Sequence, residues 1–144
     1  MKFLTNAALF AAASAAAISK RDSPVFSVTE FSAGCIPHST QCLYGFSVIQ
    51  PGTMETTPVN CSALVPGNGG LLPDVKEGAC KLSSRTFSVV RGADGLTLTV
   101  SQPVTPSSNQ TGSHLIPKDQ LVVSDEPNAF VERYTGPRSF DLTA

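Results

Sequence analysis

A chain of 144 residues with a formal net charge of −1 and 15% charged residues has no basic excess with which to collect nucleic acid or an anionic membrane. Its 11 Gly and 11 Pro, low charge and many Ser, Thr and Val suit one compact β domain with a core of workable but modest size.

The first residues read as an address. Met1 to Ala17 has one Lys near its front, an apolar middle and small residues at its end, the pattern of a secretory signal peptide. Its apolar part is too short for a membrane span, and no later apolar run approaches the ~18 residues a span needs. Lys20-Arg21 follows at once and reads as a dibasic processing site closing a short pro-segment, 18–21. The expected mature domain is 22–144. Losing Lys2, Lys20 and Arg21 takes the basic count from 10 to 7 against 11 acids, a net charge of about −4.

The mature chain then reads as a series of strands. Pro24 to Phe31 is the first, with Phe26 and Val28 on one face. Leu43 to Gln50 is the second, with Tyr44, Phe46 and Val48 alternating. Between them, Cys35 and Cys42 enclose a short loop with a Pro and several hydroxyl or amide side chains, suited to a surface connection. Val59, Cys61, Ala63 and Val65 alternate along a third strand that Pro66-Gly67 stops. The stretch NGGLLPDVKEGAC reads as loop, with Leu71-Leu72 packing into the core. Arg85 to Arg91 and Leu96 to Val100 read as a hairpin turned at Gly92-Ala93-Asp94-Gly95, with Asp-Gly as the signal because both residue types tolerate positive φ. SQPVTPSSNQTG reads as a polar loop. Short strands follow at Ser113 to Ile116, Leu121 to Val123 and Phe130 to Tyr134, before a tail with Phe140 and Leu142. No segment of the mature chain has helical periodicity. The expectation is an all-β fold of about seven to nine short strands, a small antiparallel barrel or sandwich.

Four cysteines in a short secreted chain imply two disulfides, for which three connectivities exist. The local closures Cys35–Cys42 and Cys61–Cys80 are favoured. There is no C-x-x-C, and the two histidines lie outside zinc-ligand spacing, so no metal site is expected. Asn60-Cys61-Ser62 and Asn109-Gln110-Thr111 fit the N-glycosylation sequon. Asn109 lies in the polar loop, and Asn60 adjoins a cysteine expected to be bridged.

A catalytic set does not emerge. His38 is followed by Ser39, but neighbours on an extended chain point apart and make no Ser–His pair. His114 sits between Ser113 and Leu115, and the acids are scattered without a pattern that points to a cleft. Neither an enzyme nor a cofactor is expected. The loop containing Pro37, His38 and Ser39 is the best guess at a recognition surface, because a short stapled loop binds at lower entropic cost.

The pieces VTEF, SAGCIPHSTQC, DGLTLTV, TGSHLIP and RYTGPRSF together resemble a group of small secreted fungal proteins, the hypersensitive response-inducing proteins or elicitors. That group is similar to the β-barrel family of the major allergen of Alternaria. The resemblance covers nearly all of the mature chain, and CIPHSTQCLY and RYTGP are its more specific parts. It implies a compact antiparallel barrel, secreted by a fungus and perceived by plants with cell death or defence as the outcome. Its partner would be a plant apoplastic or cell-surface protein. The allergen branch dimerises through an extra cysteine. This chain has no cysteine after Cys80, so a monomer or non-covalent dimer is expected. The pair Cys61 and Cys80 matches a bridge shared with that branch. No catalytic residue carries over. The competing expectation is an extracellular ligand- or carbohydrate-binding barrel, against which stand the absence of Trp and the presence of only two Tyr.

Overall fold

The computed structural model describes residues 23–126 and 129–144. The expected signal peptide, the pro-segment and the Lys20-Arg21 site lie outside the described residues. Alternating buried and less buried side chains, as in β6 (Gly95–Thr105) with Leu96, Leu98 and Val100 inward and Thr97 and Thr99 half-buried, build an antiparallel sheet.

The strands are β1 (Pro24–Cys35), β2 (Gln41–Ile49), β3 (Val59–Pro66), β4 (Val75–Cys80), β5 (Thr86–Gly92), β6, β7 (Ser108–Pro117), β8 (Leu121–Glu126), β9 (Ala129–Tyr134) and β10 (Phe140–Thr143). Consecutive strands pair from β1 to β7. β10 then pairs with both β7 and β1, which closes an eight-stranded up-and-down barrel. The β8–β9 hairpin hangs outside this ring and joins it where Gly34 pairs with Arg133. The one 3-10 turn among the described strands and loops is Lys118–Gln120.

β1 pairs with β2 along one edge and serves two further strands along the other because it bends. Its register shifts between Thr29 and Ser32, where Glu30 has φ 55°. Before the bulge, Pro24 to Val28 pair with β10; after it, Gly34 pairs with β9. The Phe31 N–H bridges the two regions by donating to the Arg138 carbonyl at 2.9 Å. A bulge of this kind re-aims a strand by adding one residue.

The barrel interior is filled by side chains. Phe26, Tyr44, Val48, Leu98 and Leu142 are fully buried in one cluster. Aromatic rings run through it edge to face from Phe87 to Phe46 at 5.0 Å, and Phe31 meets Phe140 at 5.4 Å. Each such ring removes on the order of 1.5–3 kcal/mol of apolar surface from water.

Each end of the filled barrel carries an arginine–glutamate pair with one buried partner, Arg85 at one end and Glu132 at the other. At the end formed by the β2–β3, β4–β5 and β6–β7 turns, Arg85 holds Glu55 through both terminal nitrogens at 2.9 and 2.7 Å and donates to Gln102. Its guanidinium lies 5.4 Å from the centroid of Phe26. At the other end, Arg91 holds Glu132 at 2.8 and 3.0 Å. Glu132 is 3% exposed, and its second partner is the Leu72 N–H. Bidentate pairing with further hydrogen bonds is the condition under which a buried charge is tolerated.

Several sequence expectations need correction. The stretch around NGGLLPDVKEGAC is not all loop. Asn68 and Leu71 exchange backbone hydrogen bonds across Gly69 (φ 59°) and Gly70 (φ 91°), and β4 follows. Two positive φ angles in a two-residue turn mark a type I′ hairpin, which Gly-Gly permits. The tail is also a strand, since Leu142 docks in the core and β10 closes the barrel. SQPVTPSSNQTG is mostly strand as well, with Gln102 opposite Gln110 and Thr105 opposite Ser108. The β5–β6 turn falls where expected, at Gly92–Gly95, but Gly92 pairs with Gly95, so its central residues are Ala93 and Asp94 and not the Asp-Gly pair. These additions bring the strand total to ten and decide for a barrel over a sandwich.

Candidate recognition surface

The Cys35–Cys42 bridge joins residues that face each other across β1 and β2. It therefore sits at the base of a loop of five exposed residues and one half-buried residue, Gln41. Inside the loop, the Ser39 N–H donates to the Ile36 carbonyl at 3.1 Å. Pro37 occupies the second position of that turn, and His38 occupies the third with φ 61°. Proline followed by a positive φ is the signature of a type II turn. The Ser39 hydroxyl accepts the Gln41 N–H at 3.1 Å. The Thr40 carbonyl accepts the Gly67 N–H at 2.7 Å, which ties the loop to the β3–β4 connection.

That connection is fixed in turn from below. The Gly70 carbonyl accepts the Glu132 N–H at 2.8 Å, and a Cβ on Gly70 would lie 1.9 Å from the Phe130 carbonyl oxygen. Arg91 bonds both Glu132 and the Leu72 carbonyl, while the Tyr44 hydroxyl donates to the Pro73 carbonyl. Burial pushes the Tyr44 hydroxyl well above its ordinary pKa, so it stays a donor. Burial also works to raise the Glu132 pKa, but bonds from Arg91 and the Leu72 N–H outweigh it and hold the carboxyl below its usual range. The loop thus stands on a rigid floor built by β3–β4, β5 and β9.

Two grooves flank it. One, of about 340 Å³, lies between His38, Ser39 and Thr40 on one side and Gly70, Phe130 and Val131 on the other. The second, of about 550 Å³, lies between Ile36 and Pro37 and the segment Arg133–Gly136 with Arg138. The three proposed loop residues are therefore split: Pro37 faces the larger groove, His38 and Ser39 the smaller. Around them Ile36, Leu43, Leu64 and Phe130 are exposed, and Leu43 pairs with Leu64 across β2 and β3.

The two histidines are far apart in role. His38 is exposed in the loop. His114 stacks on Phe140 with ring centroids 4.0 Å apart, and burial lowers its pKa. No group of three His, Cys, Asp or Glu suited to a metal occurs among the described residues.

Cys61 and Cys80 are bridged across β3 and β4, and no cysteine is free. Asn60 is exposed on β3 beside that bridge, with its Oδ1 accepting the Ser47 hydroxyl at 2.8 Å. Asn109 is exposed near the β6–β7 turn, opposite Pro103.

Sequence reasoning gave no role to Arg133, Tyr134 or Arg138. Their neighbours in space, Ile36 and Gly34, are about a hundred positions earlier, and no local spacing could announce the contact. Comparison of the chain with family models, with curated proteins and with solved structures found no match.

Proposed function

We propose that this protein is a secreted elicitor or effector that plants perceive, acting through a folded binding surface without catalysis. The observation that carries the reading is the exposed Ile36–Thr40 loop, stapled at its base, closed by its own turn and flanked by two grooves. A projecting loop already held in one conformation loses little entropy on binding. Two disulfides fit an oxidising compartment. No helix among the described residues is long and apolar enough to cross a membrane. The plant response itself rests on the resemblance carried by CIPHSTQCLY and RYTGP. Asn109 is the better glycan acceptor of the two sequons, because Asn60 lies within the β-sheet beside a bridge.

The carbohydrate-binding alternative has less support. The lumen is filled, Tyr44 is in the core, and Phe130 is the one aromatic side chain among the described residues that is largely exposed.

Infiltration of the purified, disulfide-intact protein into leaves tests the proposal. Cell death and an oxidative burst are expected from the intact protein and not from a reduced and alkylated sample. The double variant His38→Ala, Ser39→Ala should keep the fold and lose about tenfold or more in potency, as a small set of contact residues dominates an interface. Silence from the intact protein overturns the reading.

A further inference from the structure

The described residues contain four arginines, and they divide into two pairs. Arg85 and Arg91 are consumed by Glu55 and Glu132 at the two ends of the barrel. Arg133 and Arg138 both line the larger groove, both are exposed, and among the described residues neither has an ion-pair partner. None of the residues lining the groove is acidic. In a mature chain of net charge about −4, this is a local inversion of sign.

The rest of the groove is mainly apolar, with Ser32 and Thr135 as further polar lining residues. Ile36 and Leu43 are exposed at one end, and Phe31 and Ala33 lie beneath. Gly34 opens the floor, because it places no side chain above the sheet where Arg133 pairs with it. The Tyr134 hydroxyl is already bonded to the Pro137 carbonyl, which fixes that wall. At about 550 Å³ the groove falls within the roughly 300–1,000 Å³ typical of small-molecule sites.

We infer that this groove is a binding site for a small amphipathic organic anion. Its flat or aliphatic body lies over Gly34 against Ile36 and Leu43, and its carboxylate is held by the Arg133 and Arg138 guanidiniums. Guanidinium suits this task because its planar fork matches a carboxylate and it is weakly hydrated. The inference goes beyond the elicitor reading and does not depend on it, since binding is read on the isolated protein.

The test is an NMR titration of the 15N-labelled, disulfide-intact protein with 2-naphthoate, with neutral 2-naphthamide and with inorganic phosphate. Naphthoate should give saturable changes at residues 32–37 and 133–138, with naphthamide binding at least about tenfold more weakly. The double variant Arg133→Gln, Arg138→Gln should lose a similar factor for naphthoate and little for naphthamide. Should that variant fail to fold, the wild type decides, because naphthoate affinity alone should fall as ionic strength rises. Equal affinity for the acid and the amide overturns the proposal, as do changes mapping elsewhere, absence of saturation, or phosphate binding as well as naphthoate.

Discussion

Glu132 shows what a single side chain does here. Its carboxylate collects Arg91 and the Leu72 N–H, and its own N–H holds Gly70, so one residue ties β9 to β5 and to the β3–β4 connection. Glu132→Ala would leave Arg91 and the Leu72 N–H without their partner. A loss of about 3 kcal/mol is expected, at the low end for a broken buried pair because the Arg91 side chain keeps 33% of its exposure. Chemical denaturation measures it, and a loss below about 1 kcal/mol would remove the pair from the account of stability. The titrating groups also set a pH dependence. Glu55 is held below its ordinary 4.5 mainly by its bond from Arg85, and Glu132 is also depressed, so their stabilisation is present above 4.5 and lost as pH falls through their folded values. His114 is depressed from 6.5 by burial, so its charged form is disfavoured in the fold and stability begins to fall as pH drops below 6.5. Two acid steps are therefore expected in stability against pH. His114→Phe should remove the upper one and leave the lower, and an unchanged upper step would clear His114 of the role.

Among the elements, the Cys35–Cys42 hairpin and β10 matter most. The first is bridged over a short loop and the second bridge, Cys61–Cys80, over a longer one. Chain-entropy reasoning assigns about 2.5 kcal/mol to the former and slightly more than 3 to the latter. Replacing Cys35 and Cys42 by Ala should therefore leave a folded barrel, because the loop is also held by Thr40, Gly67 and the Ile36–Ser39 turn. Thermal unfolding of the two double variants ranks them, and a barrel that failed to fold without Cys35–Cys42 would mean the bridge is needed to form the β1–β2 pairing. β10 is only four residues long but carries the closure. Leu142 is fully buried with Gly112 against it, so Leu142→Ala should cost about 2–4 kcal/mol. The same measurement would show a loss under 1 kcal/mol if β10 were an ornament on a sheet already complete.

Across the whole molecule, closure and filling act together. Closing the ring removes the edges of its own strands, which would otherwise pair with other chains, while β8, paired with β9, keeps an open edge outside the ring. Filling the lumen leaves the concave surface of the molecule on the outside, in the grooves beside the stapled loop. The two Arg–Glu pairs then cover the ends of the packed interior. The interior sets the shape, and the loop end presents exposed side chains.

The strands that alternate strongly, such as β2 and β6, and the two disulfides were legible in the amino-acid order, because period-two burial and cysteine spacing are local properties. The type I′ turn at Gly69-Gly70 was not read from the order, because a glycine pair reads as loop until Asn68 and Leu71 are seen to bond. β10 was not legible, since a four-residue segment has too little pattern and becomes a strand only when β1 and β7 offer their free hydrogen bonds. The two end pairs and the arginine groove belong to the same class. Glu55 and Arg85 are 30 residues apart, Arg91 and Glu132 are 41 apart, and Gly34 and Arg133 meet only because the bulge at Glu30 turns β1 toward β9. Local order determined the elements and the staples. Closure of the barrel decided which charges are spent in pairs and which are left facing a groove, because that depends on distances only the folded chain defines.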